Sequence, residues 1–233
     1  MNDIRPIILV PTYNEALNIK TFLHEVFKFV PDINVLLIDD NSPDGTADIV
    51  HNMCDKRIYI LKRTKKSGLA SAYIDGFKYA KNLGFNQFVE MDADFSHKPE
   101  YLPVMLENLK KYDFVIGSRN IKGGGVSDWS FIRNMISKLG SLYSNIILFC
   151  PIRDLTGGFN GWNLKVLDEI GLDNIISKGY SFQIELKYRA YKKKFKYIEF
   201  PIIFPDRKLG ESKMSGDIFL EAMKNVVKIK MSV

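Results

Sequence analysis

Hydrophobic residues fall along this chain in short runs separated by longer amphipathic stretches. Apolar, β-rich runs recur at residues 7–10, 35–38, 58–61, 87–91 and 114–116, and each is separated from the next by a helical pattern. That alternation predicts an α/β fold with a mainly parallel sheet flanked by helices. In the first helical stretch Ile19, Phe22, Leu23, Val26, Phe27 and Val30 recur at three- and four-residue spacing, with Asn14 the expected N-cap and Glu15 in the first turn. This stripe is expected to pack on the sheet.

After about residue 120 the rhythm changes. A glycine-rich loop at 123–125 leads into a long helix over about 130–149, then shorter elements and a strand near 197–204. At 233 residues the chain suffices for one sizeable core. One domain over 1–233 is expected, with a nucleotide-binding half at about 1–120 and an acceptor half with a C-terminal amphipathic segment at about 121–233. In such a sheet, ligands sit beyond the carboxyl ends of the strands. The loops after Val10, Ile38, Met91 and Ile116 are therefore where chemistry is expected.

Those loops carry distinctive residues. Asp92 and Asp94, in MDADFSH, place two carboxylates together at a strand end. Two anions so placed repel, and become favourable when a divalent cation bridges them to a diphosphate, since hard oxygen ligands complete a Mg²⁺ or Mn²⁺ shell. The blander alternative is an Asx-turn leading into the helix near Pro99. Asp39 and Asp40, in IDDNSPDGT, end a strand where a carboxylate accepts hydrogen bonds from a base or ribose, while Asp44 reads as a cap for a helix starting near Thr46. Pro11, Tyr13 and Glu15 stand where they would frame a base.

Several cations follow: Arg119 in GSRN, Arg133 on the long helix, and Arg207 and Lys213 in FPDRKLGESKMS. Taken singly, each reads as a solvated surface charge. Arg133 and Ser137 share a helix face at i, i+4, which suits a phosphate group.

Composition narrows the picture only modestly. The net charge of +6 and pI near 9.1 favour phosphorylated ligands, nucleic acid or an anionic membrane. Acidic strand-end loops and the lack of a recognition helix argue against nucleic acid. Cys54 and Cys150 lie at no metal-ligand spacing, which fits a reducing cytoplasm. No apolar signal segment precedes residue 7, and the most apolar later stretch, 142–152, falls short of the roughly 20 residues of a bilayer span.

Seven motifs in order, VPTYNE, IDDNSPDGT, MDADFSH, GSRN, TGGFNGW, GYSFQIE and DRKLGESKMS, resemble the polyprenol (dolichyl) phosphate mannose synthases of glycosyltransferase family 2. The resemblance covers essentially the whole chain. It implies a GT-A fold, GDP-mannose as donor, a divalent metal and inversion to a β-mannosyl phosphate. Carried over residue by residue, Pro11, Tyr13, Glu15, Asp39 and Asp40 take the nucleotide, and Asp92, Ala93 and Asp94 take the metal and diphosphate. Arg119, Arg133 and Ser137 hold the acceptor phosphate, Arg207 and Lys213 close over the donor, and Gln183 lies nearby. The catalytic duties fall to Asp94, Arg119 and Arg133. Some relatives carry Gln at the position of Ser96, which leaves the metal's ligands and identity open, and no basic residue follows the GGF of residues 157–159.

A phosphate acceptor is already ionised, with a second pKa of about 6, so no general base is required and His97 reads as structural. The lipid acceptor implies docking at the cytoplasmic face of a membrane, through the 130–149 helix or the segment from Ile218, each also readable as a core-facing helix with solvated lysines. Relatives often append transmembrane helices, so a chain ending at Val233 leaves room for a membrane-anchoring partner. Two rival functions stand beside this one: a same-fold transferase using UDP-glucose or another donor, and a non-catalytic sugar-nucleotide-binding module.

Overall fold

The computed structural model describes residues 3–128, 131–179, 181–205 and 216–233, without the side chains of 131–134, 136 and 216–222. Strands β1 (Pro6–Thr12), β2 (Asn34–Asp39), β3 (Ile58–Lys62), β4 (Gln87–Glu90) and β5 (Phe114–Ser118) form where the apolar runs predict them. Between them lie helices α1 (Ile19–Phe29), α2 (Thr46–His51), α3 (Leu69–Asn82) and α4 (Leu102–Leu109). The second half adds β6 (Gly125–Val126), α5 (Phe131–Leu148), β7 (Asn160–Asn163), α6 (Leu164–Ile170), α7 (Ser181–Lys192), β8 (Tyr197–Pro201), β9 (Ile203–Phe204) and α8 (Gly216–Ser232).

Among the described residues, seven strands form one sheet in the order β3-β2-β1-β4-β7-β5-β8, and β6 pairs with β9 separately. All neighbours in the main sheet run parallel except β7, which is antiparallel to both β4 and β5. The two halves of the sequence therefore share a sheet. The order reverses between β1 and β4, opening a crevice beyond their carboxyl ends.

Side-chain alternation along the strands divides the core into two layers. Ile7, Leu9, Leu36 and Ile38 pack against Tyr73, Phe77 and Phe182 from α3 and α7 on one face. Ile8, Val10, Val35 and Leu37 meet Phe22, Leu23, Val26 and Met105 from α1 and α4 on the other. The α1 stripe is thus buried on the sheet, but its start differs from the sequence expectation. Asn14 lies at φ 62° in the left-handed region, and the helix begins at Ile19 with Asn18 as its N-cap. Glu15 is therefore outside the first turn, where its carbonyl instead accepts the Asn18 and Ile19 amides.

Candidate active site

Three loops meet at the crevice. The loop after β1 is latched to the loop after β2: Asn14 donates its amide to Ser42 Oγ (3.1 Å), Glu15 to Thr46 Oγ1 (3.0 Å) and Ala16 to Asp44 Oδ2 (2.9 Å). Asp44 also accepts the Thr46 amide at 3.0 Å and so braces the start of α2, but the N-cap position itself is Gly45 rather than Asp44. Asp39 is buried, accepting from Thr12 Oγ1 (3.1 Å), the Ser42 amide (2.9 Å) and Ser42 Oγ (2.6 Å). Asp40 is paired with Arg63, which also reaches Asp75 at 3.0 Å. Nothing local in the sequence marks Arg63 for this role, because its partners lie 12 and 23 residues away. Half-buried Pro11 and Tyr13 edge the same crevice, with the Lys66 ammonium 3.7 Å from the centre of the Tyr13 ring.

The turn after β4 is tightly specified. Asp94 Oδ1 accepts the Ser96 amide (3.0 Å) and hydroxyl (2.5 Å), and Phe95 takes φ 63° between them. This is the Asx-turn of the blander alternative. A carboxylate offers about four acceptor sites, so the turn orients Asp94 without exhausting it. Ala93 is buried, and the Asp92 amide donates to His97 Nδ1 at 3.0 Å. His97 is itself buried between Phe159 and Phe204, each 5.3 Å away ring to ring, and serves to pin the turn.

Beneath this turn lies a polar core that no local pattern announces. Glu90, fully buried two residues before Asp92, accepts from Trp162 Nε1 (3.0 Å), Asn160 Nδ2 (2.9 Å) and Gln183 Nε2 (3.0 Å). Burial pushes its pKa up to about 7, against the opposing pull of those hydrogen bonds and of the Lys187 charge. Gln183, which the resemblance places near the substrates, approaches them through the core. It is buried, with its carbonyl also accepting Asn160 Nδ2 at 2.9 Å, and it supports β4 from behind.

Arg119 likewise departs from the solvated charge its sequence context suggests. It is held by Asp154 through Nε and Nη2, both at 2.7 Å, through its own amide at 2.9 Å, and by Thr156 Oγ1 at 2.8 Å. Burial raises the Asp154 pKa, but the Arg119 charge and hydrogen bonds outweigh it and hold the carboxyl well below its usual range. Lys187, also fully buried, donates to the carbonyls of Asp154 (2.9 Å), Leu155 (3.2 Å) and Gly157 (2.6 Å), which makes the 154–157 loop a rigid seat. Burial lowers its pKa to about 8.

Arg119 and Asn120 also line two adjoining cavities under α5. The smaller, about 230 Å³, includes Ser137 and Lys138. The larger, about 670 Å³, includes Lys138, Ser141, Leu142 and Arg153. Ser137 is thus brought beside Arg119, and Lys138 and Arg153 add two cations that no sequence motif marks for this place. Arg133 lies in α5 with its side chain outside the described residues, as do Arg207 and Lys213 entirely.

The Phe204 ring connects the two regions. It touches His97 at 5.3 Å on one side and lies 5.5 Å from the Arg119 guanidinium on the other. The aspartate turn and the cationic cavity are therefore separated by about one aromatic side chain.

Residues 7–171 match the family model described as glycosyl transferase family 2. An undecaprenyl-phosphate mannosyltransferase from Micrococcus luteus is 43% identical over 227 residues, spanning 97% of this chain and 93% of that one. A polyprenol monophosphomannose synthase from Mycolicibacterium smegmatis is 40% identical over 226 residues, spanning 95% and 85%. Among solved structures, a mannosyltransferase from Pyrobaculum calidifontis in complex with GDP-Man and Mn²⁺ superposes with TM-score 0.60 at 15% identity, covering 98% of this chain and 73% of the other. Glucosyl-3-phosphoglycerate synthase from Mycobacterium tuberculosis, in complex with Mn²⁺, UDP and glucosyl-3-phosphoglycerate, gives 0.70 at 12% identity, covering 98% and 79%. These two distant structures bear on the fold alone, and it is the GT-A fold.

Proposed function

The chain belongs to glycosyl transferase family 2, and on that premise we propose that it transfers mannose from GDP-mannose to a polyprenyl monophosphate with inversion, giving a β-mannosyl phosphate. The observation that carries this reading is the approach of the aspartate turn to the cationic cavity across Phe204. Donor diphosphate and acceptor phosphate are both anions, and each needs its own partner on the same edge of the sheet. Pro11, Tyr13, Glu15, Asp39 and Asp40 frame the nucleotide. Arg119, Arg133 and Ser137, joined by Lys138, hold the acceptor phosphate, and Arg207 and Lys213 close over the donor.

A divalent ion, Mg²⁺ or Mn²⁺, fits the donor side. The carboxylates of Asp92 and Asp94 are hard oxygen donors, and the Asp92 side chain is one-third exposed at the crevice. Among the described residues no group of three or more His, Cys, Asp or Glu could hold a metal, so the remaining ligands would come from diphosphate and water, as Mg²⁺ and Mn²⁺ favour. When bound, the ion would stabilise the charge developing on the departing diphosphate. The protein's own task is to align an acceptor oxygen with the anomeric carbon and neutralise it. No base is needed, and His97, buried with Nδ1 occupied by the Asp92 amide, is not placed to be one.

The lipid acceptor calls for peripheral docking at the cytoplasmic face of a membrane. Among the described residues no helix is long and apolar enough to cross one. Met135, Leu139, Leu142, Ile146 and Phe149 form an exposed stripe along α5 and its end, and Lys230 lies 4.4 Å from the Phe149 ring. Because Leu142 also lines the larger cavity, a prenyl chain lying along this stripe would carry its phosphate towards Arg119. An anchoring partner protein would add to this attachment.

The test is mannose transfer from GDP-mannose to a short polyprenyl phosphate, with and without EDTA, repeated with Asp94→Ala and Arg133→Ala and with UDP-glucose as donor. Activity is expected to be lost in the three impaired conditions and absent with UDP-glucose. Full turnover without divalent metal would remove the role given to Asp92 and Asp94.

A further inference from the structure

Among the described residues, the two cavities under α5 are lined by the cations Arg119, Lys138 and Arg153 and by no carboxylate. The Arg119 charge is already matched, since Asp154 holds its guanidinium through Nε and Nη2, both at 2.7 Å. Lys138 and Arg153 differ. Both are exposed, and among the described residues neither makes an ion pair. The uncompensated positive charge of the larger cavity is therefore theirs.

The backbone of Arg153 is pinned on both sides. Its amide donates to Glu199 Oε2 at 2.8 Å, and its carbonyl accepts Asn120 Nδ2 at 3.1 Å. The next residue is the fully buried Asp154, whose amide donates to Glu199 Oε1 (3.0 Å) and whose carbonyl accepts Lys187 Nζ (2.9 Å). Both oxygens of Glu199 are thus committed to backbone amides, and it forms no ion pair with the Arg153 guanidinium. An anion entering the larger cavity meets an arginine whose backbone is already ordered, so less freedom is lost in engaging it.

What such a pair can tell apart follows from the charge of the entering group. A phosphate monoester carries about 1.5 to 2 negative charges at neutral pH, its second pKa being about 6, and a phosphate diester carries a single one. Sugar transfer converts the first into the second: a terminal phosphate oxygen bonds to the anomeric carbon as the bond from that carbon to the nucleoside diphosphate breaks. We propose that Arg153, together with Lys138, is a specificity-determining residue that selects the dianionic monoester over the monoanionic diester, so that acceptor is held and product released. The inference rests on the acceptor site given above to Arg119, Arg133 and Ser137. Two uncompensated cations match the charge of the acceptor and exceed what its product can engage.

The experiment is calorimetric titration of the full chain, with Mn²⁺ and GDP present, by farnesyl phosphate and by its methyl ester, for the parent, Arg153→Gln and Arg153→Lys. The parent is expected to bind the monoester at least about tenfold more tightly than the diester, the worth of one charge-assisted hydrogen bond. Arg153→Gln should bind the monoester about tenfold more weakly and the diester nearly as the parent does, while Arg153→Lys keeps the preference. Because the side chain is exposed and its anchoring bonds belong to the backbone, both variants should melt with the parent. A membrane headgroup is the other source of phosphate, so sedimentation with phosphatidylglycerol vesicles, whose headgroup is a diester, should be equal for parent and Arg153→Gln. A parent without the preference, an equal loss on both esters, no loss on either, or weakened sedimentation with unchanged monoester binding would overturn the inference. A parent that binds neither ester would instead overturn the acceptor site itself, and the inference with it.

Discussion

Replacing Asp154 by alanine tests whether the buried ion pair, rather than the surrounding apolar packing, seats Arg119. Asp154 is fully buried and accepts the amide, Nε and Nη2 of Arg119 and the amide of Gly157, all between 2.7 and 2.9 Å. Asp154→Ala leaves a largely buried guanidinium without its counter-charge, a loss worth about 3–5 kcal/mol. For a chain of this size each kcal/mol moves Tm by about 2–4 °C, so a fall of roughly 6–20 °C is expected by calorimetry. Arg119→Met combined with Asp154→Asn removes both charges while keeping an acceptor for one of the two amides, and should recover part of that fall. The effect also has a pH signature. The folded carboxyl titrates below its ordinary value of 3.8, so its contribution is fully present above that value and is lost as pH falls towards the folded one. The difference between parent and Asp154→Ala should therefore hold constant from neutrality to about pH 5 and shrink only below about pH 4. A fall of less than about 2 °C, or a double variant no better than the single, would refute the ion-pair account.

Two further perturbations separate the acceptor side from the donor side. A Cβ on Gly124 would stand 2.4 Å from the Ser118 carbonyl oxygen, so Gly124→Ala must push the loop lining both cavities out of place. Steady-state kinetics should show the acceptor KM rising at least about tenfold with the GDP-mannose KM unchanged; an equal rise in both would show that the loop serves the donor too. Leu139→Glu with Ile146→Glu introduces charge at two exposed positions of α5, where even one lost apolar contact is worth about 1.5–3 kcal/mol. Sedimentation with phosphatidylglycerol vesicles should weaken at least about tenfold while Tm holds, and undiminished sedimentation would rule out the α5 stripe as the docking face.

The strands β1 to β5 were legible because each has apolar β-forming residues at its centre, and burial on both faces of a parallel sheet demands such residues. The strand β7 was not. Its sequence NGWN contains one large apolar residue, Trp162, stacked on Phe114 at 5.2 Å. Its Gly161 is small because a Cβ there would meet Met105 and Leu109 at 2.8 Å. Only the assembled sheet explains that composition. The strand-end aspartates were legible for a related reason, since a carboxylate right after a buried run has few bland uses. Arg119, by contrast, takes its character from Asp154, 35 residues away, and Glu90 from partners 70 to 93 residues away. Burial of a charge is a property of the folded contacts, so Lys187 within SFQIELKYRA gives no local sign that it is wholly enclosed.

The reversed strand also sets a timetable for synthesis. β4 and β5 never pair with each other; both wait for Asn160–Asn163 to be inserted between them. While a ribosome is still making the residues that separate β5 from β7, the nascent chain carries three strand borders awaiting partners, one on β4 and both on β5, each open to adhesion with a neighbouring polypeptide. The inner borders close when Trp162 can slot between Phe88 and Phe114, and the outer border of β5 when Tyr197–Pro201 follows. Chaperone demand should accordingly peak there, and a nonsense mutation within that interval should yield an insoluble fragment rather than a half-sized soluble one.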